Sequence, residues 1–312
     1  MSSRFGPCTG YLAPLGFLPQ MQAELSAVVA VHERLVIAAG PAQTSVWAEN
    51  IWYEVESVHA PSIGIAAKEL KSRQRNWWPY AWHLHRRHAL IQEKLPHVAA
   101  NPLRFPNAKP LSTLGSFALL DEQTLLLASR CSSPFPNGAP AFAEPSSPLP
   151  PSRAYLKLWE SFTRLGVQPK PGERCIDLGA SPGGWTWVLA HLGVEVTGYD
   201  RAPLDPSLLA MPNVRGVIGD AFQTKPEKIG AIDWLFSDVI CYPERMLAHI
   251  QEWRASGLCK NYVCTIKFQG DAHYGVIAEL LRIEGSQLMH LHCNKHELTW
   301  VLLADQGAAV SP

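Results

Sequence analysis

The sequence predicts an α/β fold: a doubly wound parallel sheet in the C-terminal half, preceded by a smaller α+β domain. Three observations carry that prediction. From residue 153 onward, short apolar runs alternate with helical periodicities, as strands joined by crossover helices must. The run Cys175-Ile176-Asp177-Leu178 leads into a tight glycine-rich turn and then a helix. Finally, Asp200, Asp220, Asp238 and Lys267 each stand just past the C-terminal end of a predicted strand. In a parallel sheet those ends share one edge, where ligands bind.

The 312 residues are enough for two domains, and a hydrophobic content of 47% can bury a real core. Formal net charge is zero, so any nucleic-acid contact must come from a local basic face. Seven cysteines form no Cys-x-x-Cys pair, which points to reduced thiols in a cytoplasmic protein and away from a zinc site or a disulfide framework. The N-terminus, Met-Ser-Ser-Arg-Phe-Gly-Pro, has no signal-like apolar core, and no run approaches the length of a membrane span.

Residues 1–130 read as the small α+β domain. A short helix follows Pro19, within 16–30, with Met21, Leu25 and Val28 on one face. Residues 34–39 and 45–58 are strand-like, and 116–130 reads as a hairpin turning at Asp121-Glu122. Between Lys68 and Lys94 lie seven cations against Glu69 and Glu93, interleaved with Trp77, Trp78, Tyr80 and Trp82. Cations track phosphates and aromatic rings stack on unpaired bases, so Lys71, Arg73, Arg75, Arg86 and Arg87 are candidate RNA contacts. The competing reading is a solvated helix face whose tryptophans dock on the neighbouring domain. His83, His85 and His88 lack a carboxylate or Cys at ligand spacing, so no metal is expected.

Residues 131–152 carry seven prolines among Ser and Ala. Proline removes backbone donors and favours extended chain, so this stretch reads as a linker or surface crossover at the domain boundary. The second domain is expected over 153–306. Its expected order is helix 153–165, strand 175–178, helix 183–192, strand 194–200, strand 215–219, strand 234–237, helix 243–255, strand 262–266, helix 272–283, and closing strands 288–293 and 298–303.

The turn itself is Gly179-Ala180-Ser181-Pro182-Gly183-Gly184-Trp185. Its glycine spacing does not fit the dinucleotide fingerprint, which disfavours a nicotinamide oxidoreductase. Glycines suit a turn on which a ligand lies almost against the backbone. The helix N-terminus that follows offers free N–H groups to polar ligand atoms. The turn resembles the S-adenosylmethionine loop of class I methyltransferases, which have a Rossmann-like fold. On that likeness Gly179 to Trp185 are candidate cofactor residues. Asp200 would accept from ribose hydroxyls, Asp220 from the adenine amino group, and Asp238 would complete the set.

Further segments resemble the FtsJ/RlmM family of ribose 2′-O-methyltransferases, and within it the branch acting on a cytidine of 23S ribosomal RNA. They are Ser152-Arg153-Ala154-Tyr155-Leu156-Lys157-Leu158, Ser237-Asp238, Thr265-Ile266-Lys267 and His296-Glu297-Leu298-Thr299. The resemblance covers about residues 150–304 and implies a catalytic tetrad of Lys157, Asp238, Lys267 and Glu297, with no metal. A ribose 2′-OH must lose its proton as it attacks a methyl carbon. Lys267 would take that proton, Asp238 and Glu297 would orient the lysines, and Lys157 would tune the charge. In-line alignment should provide most of the catalysis. The N-terminal half is shorter than the THUMP-type RNA-binding region of that branch. Two rivals remain. A base or amino N-methyltransferase would show Asn/Asp-Pro-Pro-aromatic where this chain has Ser237-Asp238-Val239-Ile240-Cys241. A non-catalytic RNA-binding protein on the same fold need not keep Lys267 or the glycine loop.

Overall fold

The computed structural model describes residues 7–106, 114–147, 149–270 and 274–304. The chain divides into two compact units, residues 1–143 and 144–312, and the division falls inside the proline-rich stretch.

The first unit runs β1 (Cys8–Leu12), α1 (Leu18–Ala23), β2 (Val28–His32), β3 (Leu35–Ala39), β4 (Asn50–Tyr53), β5 (Glu56–His59), α2 (Ile63–Arg73), β6 (Trp77–Pro79), α3 (His85–Gln92), β7 (Gly115–Leu119), β8 (Thr124–Ala128) and β9 (Arg130–Cys131). It holds a five-stranded sheet, β2-β3-β1-β4-β9, and a four-stranded sheet, β5-β8-β7-β6. The β7–β8 hairpin is the hinge of the packing. Side chains alternate across a strand, so Phe117, Leu119, Leu125 and Leu127 meet Ala66, Ala67 and Leu70 of α2 and Ile91 of α3. The opposite face carries Ala118, Leu126 and Ala128 against Leu12, Leu35, Ile37 and Trp52 of the five-stranded sheet. Helices and the larger sheet therefore enclose the smaller one.

Two expectations change here. The helix after Pro19 stops at Ala23, and Val28 begins a strand. The cause is local: Glu24 accepts from Ser45 Oγ, Val46 N and Trp47 N, and Ala27 turns the chain at φ +53°. The long strand 45–58 is broken at Glu54, φ +54°, into β4 and β5, which serve different sheets. The proline-rich stretch also begins as ordered structure. Cys131 pairs with Trp52, Phe135 and Ser133 are buried, and Asn50 Oδ1 accepts from Ser133 N at 3.1 Å.

The second unit runs α4 (Tyr155–Leu165), β10 (Arg174–Leu178), α5 (Gly184–His191), β11 (Glu195–Asp200), α6 (Pro206–Leu209), β12 (Val214–Ile218), α7 (Pro226–Ile229), β13 (Ile232–Ser237), α8 (Pro243–Ser256), β14 (Cys259–Lys267), α9 (Gly275–Leu281), β15 (Ser286–Met289) and β16 (Glu297–Leu302). The seven strands lie in the order β12-β11-β10-β13-β14-β16-β15. All neighbouring pairs are parallel except those made by β16. The chain moves outward from β10 to β12, then returns to place β13 on the other side of β10. That reversal opens a crevice at the carboxyl ends of β10 and β13.

The expected helix over 272–283 is present as α9; residues 272 and 273 lie outside the described residues, as do 305 and 306 of the expected domain and Pro148 of the proline-rich stretch. The expected strand over 288–293 ends at Met289, because the segment after it is held by a side chain of α4, described below. Among the described residues, no helix is long and apolar enough to cross a membrane.

Candidate active site

The crevice at the reversal is a cleft of about 430 Å³, within the range of small-molecule sites. Gly179, Ser181, Asp200, Asp220, Asp238 and Lys267 line it, together with Arg201, Phe222, Val239, Ile240 and Arg245.

The four residues of the expected tetrad converge. Lys157 sits in the first turn of α4, Asp238 follows β13, Lys267 ends β14 and Glu297 begins β16. Lys267 and Glu297 are direct cross-strand partners, so their proximity is fixed by register. Lys157 Nζ lies 2.6 Å from Glu297 Oε1 and 3.1 Å from Asp238 Oδ1. Lys267 Nζ lies 2.7 Å from Asp238 Oδ1 and 3.6 Å from Glu297 Oε2. Thr265 Oγ1 donates to the same Asp238 oxygen at 2.9 Å. Two cations thus alternate with two carboxylates, all largely buried.

Burial has opposite leverage on the charges and is beaten in both cases where a shift is resolved. Burial alone would push the Asp238 carboxyl up, yet the Lys157 and Lys267 ammoniums hold it below the usual range. Burial would likewise push the Lys157 amine down, yet Asp238 and Glu297 hold it above its ordinary value. Lys157 therefore stays charged. Lys267 is the tetrad amine that lines the cleft.

A further carboxylate explains why α4 and β16 meet in register. Glu160, one turn beyond Lys157, is fully buried. It accepts from His292 N at 2.9 Å and Cys293 N at 3.4 Å, and pairs with Arg164 at 2.8 Å. This ties the helix carrying Lys157 to the loop that delivers Glu297. Sequence reasoning missed Glu160. The signal was an acid on the apolar stripe of Leu158, Trp159 and Phe162.

The glycines of the loop also make room for the protein itself. A Cβ on Gly179 (φ +76°) would sit 2.9 Å from the backbone N and Cα of Val239. A Cβ on Gly183 would run into Leu208, and one on Gly184 into Ser152. These glycines let the protein approach itself, and the cleft is shaped as a consequence. Gly179 and Ser181 line it, Ala180, Gly183, Gly184 and Trp185 are buried, and Pro182 is exposed. The Trp185 indole donates to Ala154 O at 2.9 Å, which locks α5 against the entry to α4.

Asp200 and Asp220 stand at the cleft edge as expected, but each already holds protein. Asp200 accepts from Ser181 N at 3.1 Å and Ala202 N at 3.0 Å, which fixes the turn and leaves lone pairs on both oxygens. Asp220 caps a single turn over Ala221–Gln223 and lies 3.0 Å from Arg201 and 3.5 Å from Arg245. The Phe222 N–H, then the two guanidiniums, hold its carboxyl below the usual range. Arg245 also stacks over the Phe222 ring at 3.9 Å. Phe222 and Arg245 were not legible as cleft residues, since neither carries a motif. Asp177 lies beneath the loop, fully buried; Thr186 Oγ1 donates to its Oδ2 at 2.7 Å. Its Oδ1 meets no donor among the described residues, and burial pushes the carboxyl up to about 7.

The cleft suits a polar, nucleoside-like molecule: carboxylates with spare acceptors, an aromatic ring, and a loop with backbone exposed to the crevice. Among the described residues, no group of three or more His, Cys, Asp and Glu side chains could hold a metal.

The basic stretch of the first unit does not converge in the same way. Trp77 is in that unit's own core, and its indole donates to Leu70 O. Arg73 is paired with Glu56 at 2.8 Å and Glu69 at 2.9 Å. Arg87 is half-buried and donates to Pro61 O. Lys71, Arg75 and Arg86 remain exposed.

Sheet order, crevice and glycine turn give the second unit a Rossmann-like fold with a ligand-sized cleft at the reversal. Residues 150–274 match the FtsJ-like methyltransferase family. Relatives include proteins named ribosomal RNA large subunit methyltransferase M. That of Azoarcus sp. (strain BH72) is 36% identical over 147 residues, covering 45% of this chain and 39% of the relative. That of Marinobacter nauticus is 31% identical over 186 residues, covering 56% and 51%. That of Halorhodospira halophila is 40% identical over 122 residues, covering 38% and 35%. The aligned part of this chain thus spans from about a third to half the length of these curated relatives. A putative ribosomal RNA methyltransferase of Plasmodium falciparum superposes with a TM-score of 0.38 at 18% identity, over 49% of this chain and 97% of that one; no argument rests on it.

Proposed function

We propose that this protein transfers a methyl group from S-adenosylmethionine to a ribose 2′-OH of RNA, with a cytidine of 23S ribosomal RNA as the target. The observation that carries the reading is the Lys157–Asp238–Lys267–Glu297 cluster opening into the cleft through Lys267. The cofactor, when bound, supplies an electrophilic methyl on a sulfonium. Gly179, Ser181, Asp200, Asp220 and Phe222 are the residues that would hold it.

Lys267 takes the proton of the 2′-OH. Asp238 and Glu297 fix its amine, and Thr265 fixes Asp238. Lys157, held protonated by the same two carboxylates, remains as their counter-charge while Lys267 cycles between its two protonation states. The four titrate as one coupled unit. A positioned base of this kind is worth about 10²- to 10⁴-fold in rate. Lys71, Arg75 and Arg86 are the proposed RNA contacts of the first unit.

The test is calorimetric binding of S-adenosylmethionine together with label transfer to large-subunit ribosomal RNA from cells lacking this gene. Saturable binding and label in the RNA are expected. Binding without transfer to any ribosomal RNA would remove the proposed substrate.

A further inference from the structure

The segment that follows Asp238 has an unusual surface. Residues 239–242 lead without a turn or bend into α8, which starts at Pro243, and Tyr242 is extended at φ −66° and ψ 142°. Along it, Cys241 and Pro243 point inward and are buried, while Ile240 is 80% exposed and Tyr242 is 55% exposed. Alternation in extended chain puts Ile240 and Tyr242 on the same side. Single exposed apolar residues are ordinary. Two on one face, two and four residues past a tetrad carboxylate, with Ile240 lining the cleft, form a surface that water serves poorly.

The spacing suits a flat ring. Two residues of extended chain advance about 6.8 Å, which is about twice the 3.4 Å separation of stacked bases. A planar base set between an aliphatic and an aromatic side chain at that distance would touch both. The inner end of the segment is packed closely, since the Val239 backbone lies where Gly179 has no Cβ. The Cys241 side chain and Pro243 anchor it further. The rim beside it carries Arg201 and Arg245, both paired with Asp220, so two guanidiniums reach the mouth of the cleft with Asp200 and Asp220 as their counter-charges.

We infer that Ile240 and Tyr242 form a clamp for an unstacked RNA base, which sets the ribose of that nucleotide over Asp238 and Lys267. This rests on the proposed ribose methylation and names how its substrate is gripped. Base stacking on a protein ring is sequence-tolerant, because every base has a π-face. The clamp thus selects for an unpaired nucleotide and leaves the choice of base to other contacts.

The experiment compares the wild type with Ile240→Ser, Tyr242→Ala, Tyr242→Phe and the Ile240→Ser/Tyr242→Ala double variant. Each is assayed for methyl transfer at varied concentrations of unmethylated large-subunit ribosomal RNA, for calorimetric affinity for S-adenosylmethionine, and for thermal melting. The double variant should raise KM for the RNA about tenfold or more. Its cofactor affinity should stay within about twofold and its melting should be unchanged. Tyr242→Phe, which keeps the ring, should recover most of the loss seen with Tyr242→Ala. An RNA KM within twofold of wild type in the double variant overturns the clamp and leaves the methylation reading standing. A fall in cofactor affinity equal to the fall in transfer also overturns it, since the two side chains would then be lining the cofactor. A wild-type protein that transfers no methyl to this RNA sinks the methylation reading itself, and the clamp with it.

Discussion

Two stretches of this protein carry clusters of charge that point to function, and they fare differently once folded. Lys157, Asp238, Lys267 and Glu297 are spread over 140 residues, yet their side chains meet within 3.6 Å. The basic residues of 68–94 are close in sequence, yet they separate into a partly exposed ion-pair cluster, a half-buried backbone contact and exposed side chains. Strand ends explain the first result. A parallel sheet brings the residue after each strand to one edge, and an antiparallel pair such as β14–β16 sets two residues face to face. Helix faces explain the second. A helix presents every third or fourth residue to its own unit, and a strand every second one, so Arg73 at the end of α2 and Trp77 in β6 can be used up by packing before any partner arrives.

That contrast can be broken or sharpened experimentally. The largest effect should come from Lys267→Ala, with methyl transfer reduced about 10²- to 10⁴-fold and cofactor affinity within about twofold. Turnover close to wild type would remove the base from the account. Glu160→Ala should come next. It leaves the Arg164 guanidinium and the His292 and Cys293 N–H groups without their buried acceptor, and breaking such a pair costs about 3 kcal/mol. Thermal melting measures this, and an unchanged melt would mean that α4 and the β15–β16 loop are joined by other contacts.

A pH-dependent effect should follow from Asp177. Burial pushes its folded carboxyl up to about 7, well above the ordinary aspartate range. Over that window the folded state holds a proton that the unfolded state has released, so stability falls as pH rises from about 4 to 7. Asp177→Asn, which stays neutral and can still accept from Thr186, should melt above the wild type at pH 8. The gap should close toward pH 4. A gap independent of pH would contradict the assignment.

The smallest effects concern the basic stretch. Replacing Lys71, Arg75 and Arg86 by Gln should weaken RNA binding and flatten the salt slope by about 2, in a titration of affinity against salt. Arg73→Gln should leave that slope alone and lower stability by under about 1 kcal/mol, because Arg73 is already committed to Glu56 and Glu69. Equal slopes for all four changes would erase the distinction between the two regions.

Much of the second unit was legible because its signals are periodic or sit at strand ends. The strands of residues 174–267 fall where apolar runs end in an acid or a lysine, and the tetrad follows from motif order. The glycine loop was legible as a loop, but the protein contacts of its glycines were not. Gly179, Gly183 and Gly184 make room for Val239, Leu208 and Ser152, which are distant in sequence. Glu160 was hidden because one buried acid on a helix looks like any other until its acceptor bonds to residues 292 and 293 are seen. The four-residue helices α6 and α7 are too short to show a period. In the first unit, the break at Glu54 depends on a positive φ in a residue type that gives no warning of it.

The central claim is that the methyl goes to a ribose oxygen. A 2′-O-methyl group removes the nucleophile that alkali needs to cleave the adjoining phosphodiester. Large-subunit ribosomal RNA from cells lacking the gene should be methylated with labelled S-adenosylmethionine, hydrolysed in alkali, and separated by size. The account requires label in alkali-resistant dinucleotides, and none with the Lys267→Ala protein. Label in mononucleotides would place the methyl on a base and contradict it.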